Sequence, residues 1–128
     1  MDENITILNK TKSKLPSLPF SLLKDAILGK KYELSIAVVT PKEIQKPNKI
    51  YREKDEATDV LSFRLEKKSG ELLLCPTIIK KKAPLFEKNY EDYFLFAVIH
   101  GMLHLKGMDH GSTMEAEEKR FLRKFTNA

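Results

Sequence analysis

The chain has 128 residues, 41% of them hydrophobic and 32% charged, as expected for one globular domain spanning residues 1–128. The longest apolar run, residues 93–99, is too short to cross a bilayer, and the first residues lack the pattern of a secretory signal. We therefore expect a cytoplasmic protein with no membrane partner. Cys75 is the only cysteine, which excludes an intrachain disulfide. The net charge of +5 suits a polyanion such as RNA.

The first half of the chain predicts two strands and two helices. Residues 5–8 form a short strand, and residues 20–28 have a helical apolar period that ends at Gly29. Residues 33–39 alternate as a strand, with Leu34, Ile36 and Val38 on one face. Residues 40–43 have the form of a capping box, so a helix should follow, and Pro47 is expected to divide it.

The second half predicts a hairpin followed by helices. Residues 60–63 and 72–75 read as strands joined by a turn at residues 67–70, and a short helix follows Pro76. Residues 84–89 are irregular. Residues 91–106 are apolar on most of a helix circumference, which predicts a buried central helix. The chain breaks at residues 111–112, and residues 113–125 form a last helix whose core positions are Met114, Phe121, Leu122 and Phe125.

These elements predict an α/β (α+β) fold, in which a small mixed sheet of about four strands is surrounded by helices. The aromatic residues Tyr93, Phe94 and Phe96 lie on the apolar helix, so we expect them in the core rather than stacked on nucleobases. Cys75 ends a strand and should behave as a small buried hydrophobe, not as a metal ligand.

All three histidines lie within eleven residues. His100 and His104 are spaced i, i+4 and would share one face of the central helix. Gly107 can leave the helix with a positive φ, and the turn can then bring His110 back toward the other two. Three imidazoles with an open fourth position are typical of a catalytic metal site, so we predict one divalent ion, most simply Zn²⁺.

The same spacing occurs in metzincin peptidases, whose motif is His-Glu-x-x-His-x-x-Gly-x-x-His. Here Gly101 replaces the glutamate that serves those enzymes as general base. The ligand pattern is therefore present without the residue that peptide hydrolysis requires.

A second group of polar residues precedes the strand at residues 60–63. Arg52 and Lys54 lie at the predicted end of a helix, where cations complement the helix dipole. Beside a metal site they would instead bind a phosphate, Arg52 through two parallel hydrogen bonds.

The two segments together resemble the YbeY family of bacterial rRNA-processing endoribonucleases. The first is Asn-x-x-Tyr-Arg-x-Lys-Asp-x-x-Thr-Asp-Val-Leu-Ser-Phe over residues 48–63, and the second is His-Gly-x-Leu-His-Leu-x-Gly-x-Asp-His over residues 100–110. The chain departs from the family pattern at Pro47, Ala57, Arg64 and Glu71.

The resemblance implies a small mixed sheet with helices around it. It also implies a divalent metal held by the three histidines, usually zinc, and a catalytic or phosphate-binding role for Arg52. The expected function is single-strand-specific cleavage of RNA in maturation of the small-subunit (16S) rRNA 3′ end and in ribosome quality control. RNA and the ribosome would be the partners, with no DNA.

The predicted mechanism is metal-assisted hydrolysis of a phosphodiester, with Arg52 and the ligand His110 as catalytic residues. Asp109 either orients a ligand or serves as a turn aspartate. The attacking group is either an activated water or the 2′-hydroxyl. The run Lys80-Lys81-Lys82 either follows an RNA backbone or, as we favour, forms a solvated helix face.

Two other classes of function fit parts of the pattern. One is a metallohydrolase of another substrate class, such as a degenerate zincin-like peptidase. The other is a non-catalytic ribosome-assembly factor whose metal stabilises the fold.

Overall fold

The structure is a computed structural model and describes residues 4–126. Strands and helices alternate along the chain in the described part, with a short 3-10 helix at Ala83–Phe86. The strands are β1 (Ile5–Asn9), β2 (Glu33–Val38), β3 (Val60–Glu66) and β4 (Ser69–Leu74). The helices are α1 (Phe20–Ile27), α2 (Pro41–Arg52), α3 (Pro76–Lys82), α4 (Tyr90–Leu105) and α5 (Ser112–Thr126).

The four strands form one mixed sheet in the order β1-β2-β4-β3. β1 pairs with β2 and β2 with β4 in parallel, whereas β3 and β4 form an antiparallel hairpin. In β2, Leu34, Ile36 and Val38 are buried while Glu33 and Ser35 are exposed. The predicted fold class and the predicted apolar face of β2 are therefore confirmed.

The hairpin turn is shorter than the sequence predicts. β3 extends to Glu66 and β4 begins at Ser69, so only residues 67–68 form the turn. Gly70 belongs to β4, where a Cβ atom would lie 2.4 Å from the Tyr32 hydroxyl. This glycine is required by close packing and not by a turn, so the predicted hairpin is confirmed with a turn of residues 67–68 instead of 67–70.

Helix α2 is continuous through Pro47, which was expected to divide it. Its start is the predicted capping box, in which the Thr40 hydroxyl accepts from the Glu43 amide and the Glu43 carboxylate accepts from the Thr40 amide. The helix ends at Arg52, followed by Glu53 with φ of 58°. The capping box and the left-handed Glu53 together fix the two ends of α2, and hence the position of Arg52 as its last residue.

Helix α4 is the buried central element, as predicted. It packs against β3 and β4 on one side and against α1, α3 and α5 on the others. Phe94, Val98 and Met102 are fully buried, and Tyr93 is nearly so. Phe96 is partly buried against the same core. On the last helix, Met114 and Phe121 are buried and Leu122 and Phe125 pack partly against the core, also as predicted.

Three hydrogen bonds fix β3 and its preceding residue along α4. The Tyr93 hydroxyl donates to the Asp59 carboxylate at 2.8 Å, the Ser62 hydroxyl donates to the Gly101 carbonyl at 2.9 Å, and the Arg64 guanidinium donates to the Leu105 carbonyl at 3.2 Å. The Ser62–Gly101 pair lies close because residue 101 has no side chain, and a Cβ atom there would be 2.8 Å from Leu72 and 3.3 Å from the Ser62 hydroxyl oxygen. Strand and helix therefore run side by side in a fixed register.

No helix in the described residues is long and apolar enough to cross a membrane.

Replacing Thr40 with Ala should lower the free energy of unfolding by about 1 kcal/mol, because the N-cap acceptor of α2 is lost. Thr40→Ser keeps the acceptor and should unfold like the wild type. Urea denaturation followed by circular dichroism measures both variants. If Thr40→Ala and Thr40→Ser lowered the free energy of unfolding equally, the cap hydroxyl would not be the stabilising group.

Candidate metal centre

The three histidines meet at the C-terminal end of α4. His100 and His104 lie one turn apart on the same face of the helix. After Leu105 the chain reverses at Gly107, whose φ is +107°, a conformation that favours glycine. The turn returns His110 to the other two, as the sequence predicts.

One potential ligand atom from each histidine lies within 4.8 Å of the others. The rings of His100 and His104 are 4.6 Å apart between centroids, and His110 lies 5.2 and 4.9 Å from them. Among the described residues, these histidines are the one group with the composition and spacing of a metal site. The structure thus brings together the three ligands that the sequence predicts.

The hydrogen bonds of His100 and His104 define which ring nitrogens carry protons. Nδ1 of His104 lies 2.9 Å from the Met108 carbonyl oxygen, which can only accept, so this nitrogen donates. Nδ1 of His100 lies 2.6 Å from a Glu118 carboxylate oxygen. In the neutral form of each ring the Nε2 atom therefore has a free lone pair.

These two Nε2 atoms face each other at 3.1 Å. Two neutral acceptors at this distance repel each other unless a cation lies between or beside them. Tetrahedral zinc with Zn–N bonds of about 2.0–2.1 Å needs ligand nitrogens about 3.3–3.4 Å apart. The donor set therefore fits a divalent metal ion, with exposed His110 as the outer ligand.

Burial keeps His104 suited to metal binding. The loss of solvation lowers the pKa of His104 below its usual value, and the nearby His100 lowers it further. The hydrogen bond to Met108 opposes this effect. The ring is accordingly neutral at physiological pH, which is the form that binds a metal.

Glu118 of α5 is the site residue that sequence reasoning missed. It is 8% exposed and orients His100 through the carboxylate contact described above. A signal was present in the sequence, because Glu118 lies four residues after Met114 and three before Phe121, on the face predicted to enter the core. A glutamate on a buried face needs a partner.

A cavity of about 440 Å³ opens beside the histidines. Arg52 and Tyr51 from the end of α2 line it, together with β3 residues and Asp109. The Arg52 side chain is exposed and has no ion-pair partner among residues 4–126. The predicted phosphate-binding arginine and the predicted metal ligands therefore share one cavity.

Other predicted residues lie further away or have other contacts. Lys54 is exposed in the loop after α2 and does not line the cavity. Asp109 lines it without a hydrogen bond to a histidine within the described residues. The orienting contacts on His100 and His104 come instead from Glu118 and Met108. Roles for Lys54 and Asp109 stay predictions.

Cys75 and the lysine run lie outside this cavity. Cys75 is buried with Val39, Ile44 and Leu61 in a small apolar cluster. Lys80 and Lys81 line a separate cavity, and Lys82 pairs with Asp59 at 3.6 Å. The cysteine is therefore packed as a hydrophobe, as expected.

Comparison with known proteins decides the family. The family model described as Endoribonuclease YbeY matches residues 3–126. The chain belongs to the YbeY endoribonuclease family. This assigns an endoribonuclease, which hydrolyses RNA.

Individual relatives agree with the family model. A Francisella philomiragia protein named Endoribonuclease YbeY is 32% identical over 131 residues, covering 90% of this chain and 83% of that protein. A Neisseria meningitidis protein of the same name is 38% identical, covering 71% of this chain and 63% of that protein. The solution structure of TM1509 from Thermotoga maritima matches with a TM-score of 0.62 and 30% identity, covering 94% and 88% of the two chains.

Replacing Glu118 with Gln should weaken zinc affinity at least about tenfold, since the ring of His100 loses a charged acceptor that orients it and raises its basicity. Glu117→Gln is the matched control, because Glu117 lies on the same helix and pairs with exposed Arg120. Competition with a zinc chelator measures both variants. Wild-type affinity in Glu118→Gln would remove Glu118 from the site.

Proposed function

We propose that this protein is a metal-dependent endoribonuclease that cleaves single-stranded RNA at the cavity beside His100, His104 and His110. The observation that carries the proposal is that Arg52 lines the same cavity as the three-histidine cluster. A phosphodiester in this cavity would meet the metal site on one side and a guanidinium on the other.

The three histidines would hold the ion, most simply Zn²⁺, which would act as a Lewis acid and lower the pKa of a water molecule. Arg52 would bind two phosphate oxygens and stabilise the charge that develops on them. Glu118 and the Met108 carbonyl keep His100 and His104 in the orientation that ligation needs. The attacking oxygen is that of water or of the ribose 2′-hydroxyl.

The peptidase alternative is opposed by the position of Gly101. A Cβ atom at residue 101 would lie 2.8 Å from Leu72 and 3.1 Å from Val60, so the space beside it is filled by the sheet. A side chain at this position would have to displace the ends of these side chains. The absence of a carboxylate at residue 101, where the zincin motif has its general base, therefore supports a nuclease over a peptidase.

The non-catalytic alternative is opposed by the composition of the cavity. A metal that only stabilises the fold is usually enclosed by four protein ligands. Here the described residues supply three histidines, and the cavity beside them presents an arginine without an acidic partner. These features suit an anionic substrate.

The cellular role follows from the family resemblance. We propose that the substrate is the 3′ region of the small-subunit (16S) rRNA and that cleavage serves rRNA maturation and ribosome quality control in the cytoplasm. The net charge of +5 is consistent with an RNA substrate.

A preference for single strands is supported by an aromatic pair in the cavity lining. Tyr51 is 70% exposed and contacts Phe63 edge to face, with ring centroids 5.3 Å apart. Exposed aromatic rings are surfaces on which unpaired bases stack. A base held in a duplex cannot reach such a ring without unstacking from its neighbours.

Arg52→Ala should lower kcat about 100-fold on a single-stranded RNA carrying the small-subunit 3′ region, with unchanged zinc content and melting temperature. Arg52→Lys should recover only part of the rate, because an ammonium cannot make the two-point contact. Single-turnover cleavage measures the rates, with chelator-treated wild type as the inactive reference. Wild-type rates in Arg52→Ala, or full activity without metal, would contradict the proposed mechanism.

Tyr51→Ala should raise the KM for single-stranded RNA about tenfold, because a stacked base contributes roughly 1–3 kcal/mol. Tyr51→Phe retains the ring and should resemble the wild type. The decisive comparison uses RNAs with an abasic site at successive positions near the cleaved bond. At one position the abasic substrate should give the same KM with the wild type and with Tyr51→Ala, because the base that stacks on Tyr51 is then missing. An undiminished difference at every position would exclude stacking.

A further inference from the structure

A second cavity of about 570 Å³ adjoins the one beside the histidines. Arg64 and Leu105 line both cavities, so the two cavities lie next to each other. We call the second part the basic groove. Its cationic lining residues are Lys30, Lys31, Arg64, Lys67, Lys68 and Lys106.

No acidic side chain lines the basic groove within the described residues. Its lysines and Arg64 are exposed. Like charges gathered on one concave surface repel each other, which costs stability unless anions neutralise them. A concave surface also concentrates the positive potential, so the groove should attract a polyanion.

The cations come from separate parts of the chain. Lys30 and Lys31 precede β2, Lys67 and Lys68 form the hairpin turn, and Lys106 caps α4. Tertiary packing, and not a local charge run, therefore assembles the groove. This distinguishes it from Lys80 and Lys81, which are adjacent on one short helix.

Part of the charge has a structural purpose. Arg64 donates to the Leu105 carbonyl and Lys106 follows the last turn of α4, so both complement the helix C-terminal dipole. Lys106 also acts electrostatically on Glu117. The four lysines at positions 30, 31, 67 and 68 have no ion-pair partner within residues 4–126.

We infer that the basic groove binds the phosphates of single-stranded RNA on one side of the cleaved bond, as an extended substrate subsite. The inference rests on the proposed function, because it places the cleaved bond in the adjoining cavity. Arg64 would lie at the junction, where the chain passes from the groove toward the metal centre. Affinity should then depend on RNA length and on salt.

The test compares two groove variants, Lys67→Gln/Lys68→Gln and Lys30→Gln/Lys31→Gln, with the control Lys80→Gln/Lys81→Gln. Each variant lowers the net charge of +5 by two, so total charge is matched. Fluorescence anisotropy with zinc-loaded protein gives the Kd for RNAs of about 4 and about 12 nucleotides across a salt series. Gel analysis checks each sample for cleavage, so that only anisotropy readings from uncleaved RNA enter the Kd, and thermal melting shows that each variant folds.

Each phosphate contact with a single strand adds about 0.7 to the slope of log Kd against log salt concentration. At 0.1 M salt this corresponds to about fivefold in affinity. Each groove variant should therefore bind the longer RNA up to about 25-fold more weakly and with a smaller slope. Its affinity for the shorter RNA should change less, and the control variant should resemble the wild type.

Equal effects of the groove variants and the control would overturn the inference, because only total charge would then matter. Unchanged RNA binding in both groove variants would also overturn it. Failure of the proposed function appears differently. In that case wild-type protein does not cleave RNA, whereas the groove variants still differ from the control in binding.

Discussion

The site depends on two imidazole nitrogens, Nε2 of His100 and Nε2 of His104, that lie 3.1 Å apart. Neither ring can turn away easily, because each Nδ1 atom donates to a fixed acceptor, Glu118 for His100 and the Met108 carbonyl for His104. One acceptor lies on α5 and the other in the turn after α4. A metal ion at this point would therefore tie together three successive segments of the chain.

The charges around this point favour an anionic substrate. Arg52 is close enough to His104 to contribute to the lowering of its pKa, after burial and the other two histidines. A bound divalent ion would add a second positive group to the same cavity. A phosphate between the two cations would reduce their repulsion, and a positively charged groove would extend the same attraction to neighbouring phosphates. Metal binding would then strengthen RNA binding, and RNA binding would strengthen metal binding.

Sequence reasoning succeeded where the signal was local. The i, i+4 histidines, the glycine that reverses the chain and the capping box of α2 each depend on a few consecutive residues. It failed where distant segments meet. Gly70 was assigned to a turn because the neighbouring Tyr32, which requires the glycine, lies 38 positions earlier. Pro47 was expected to divide a helix that instead continues through it.

The same limit explains two side-chain contacts of the site that the sequence does not predict. Glu118 meets His100 across the packing of α4 and α5, and Tyr51 meets Phe63 across the α2–β3 connection. No local spacing predicts either contact. The motif that contains Arg52 and the motif that contains the histidines could be recognised separately, yet their presence in one cavity required the fold.

The relation between those two motifs is set by the hydrogen bonds that fix β3 along α4. Along the strand, the steps from Asp59 to Ser62 and then to Arg64 span about 10 and 7 Å. Along the helix, their partners Tyr93, Gly101 and Leu105 are separated by about 12 and 6 Å. The two sets of distances match closely enough for strand and helix to remain in register.

This register also accounts for the contacts of Asp59 and Ser62 in the first motif. The Asp59 carboxylate accepts from Tyr93, and burial together with this bond raises the pKa of Tyr93, so the phenol remains a donor. The Ser62 hydroxyl lines the cavity and donates to the Gly101 carbonyl of α4. Because α2 ends shortly before β3 begins, a strand fixed on the histidine helix also fixes the region from which Arg52 enters the cavity.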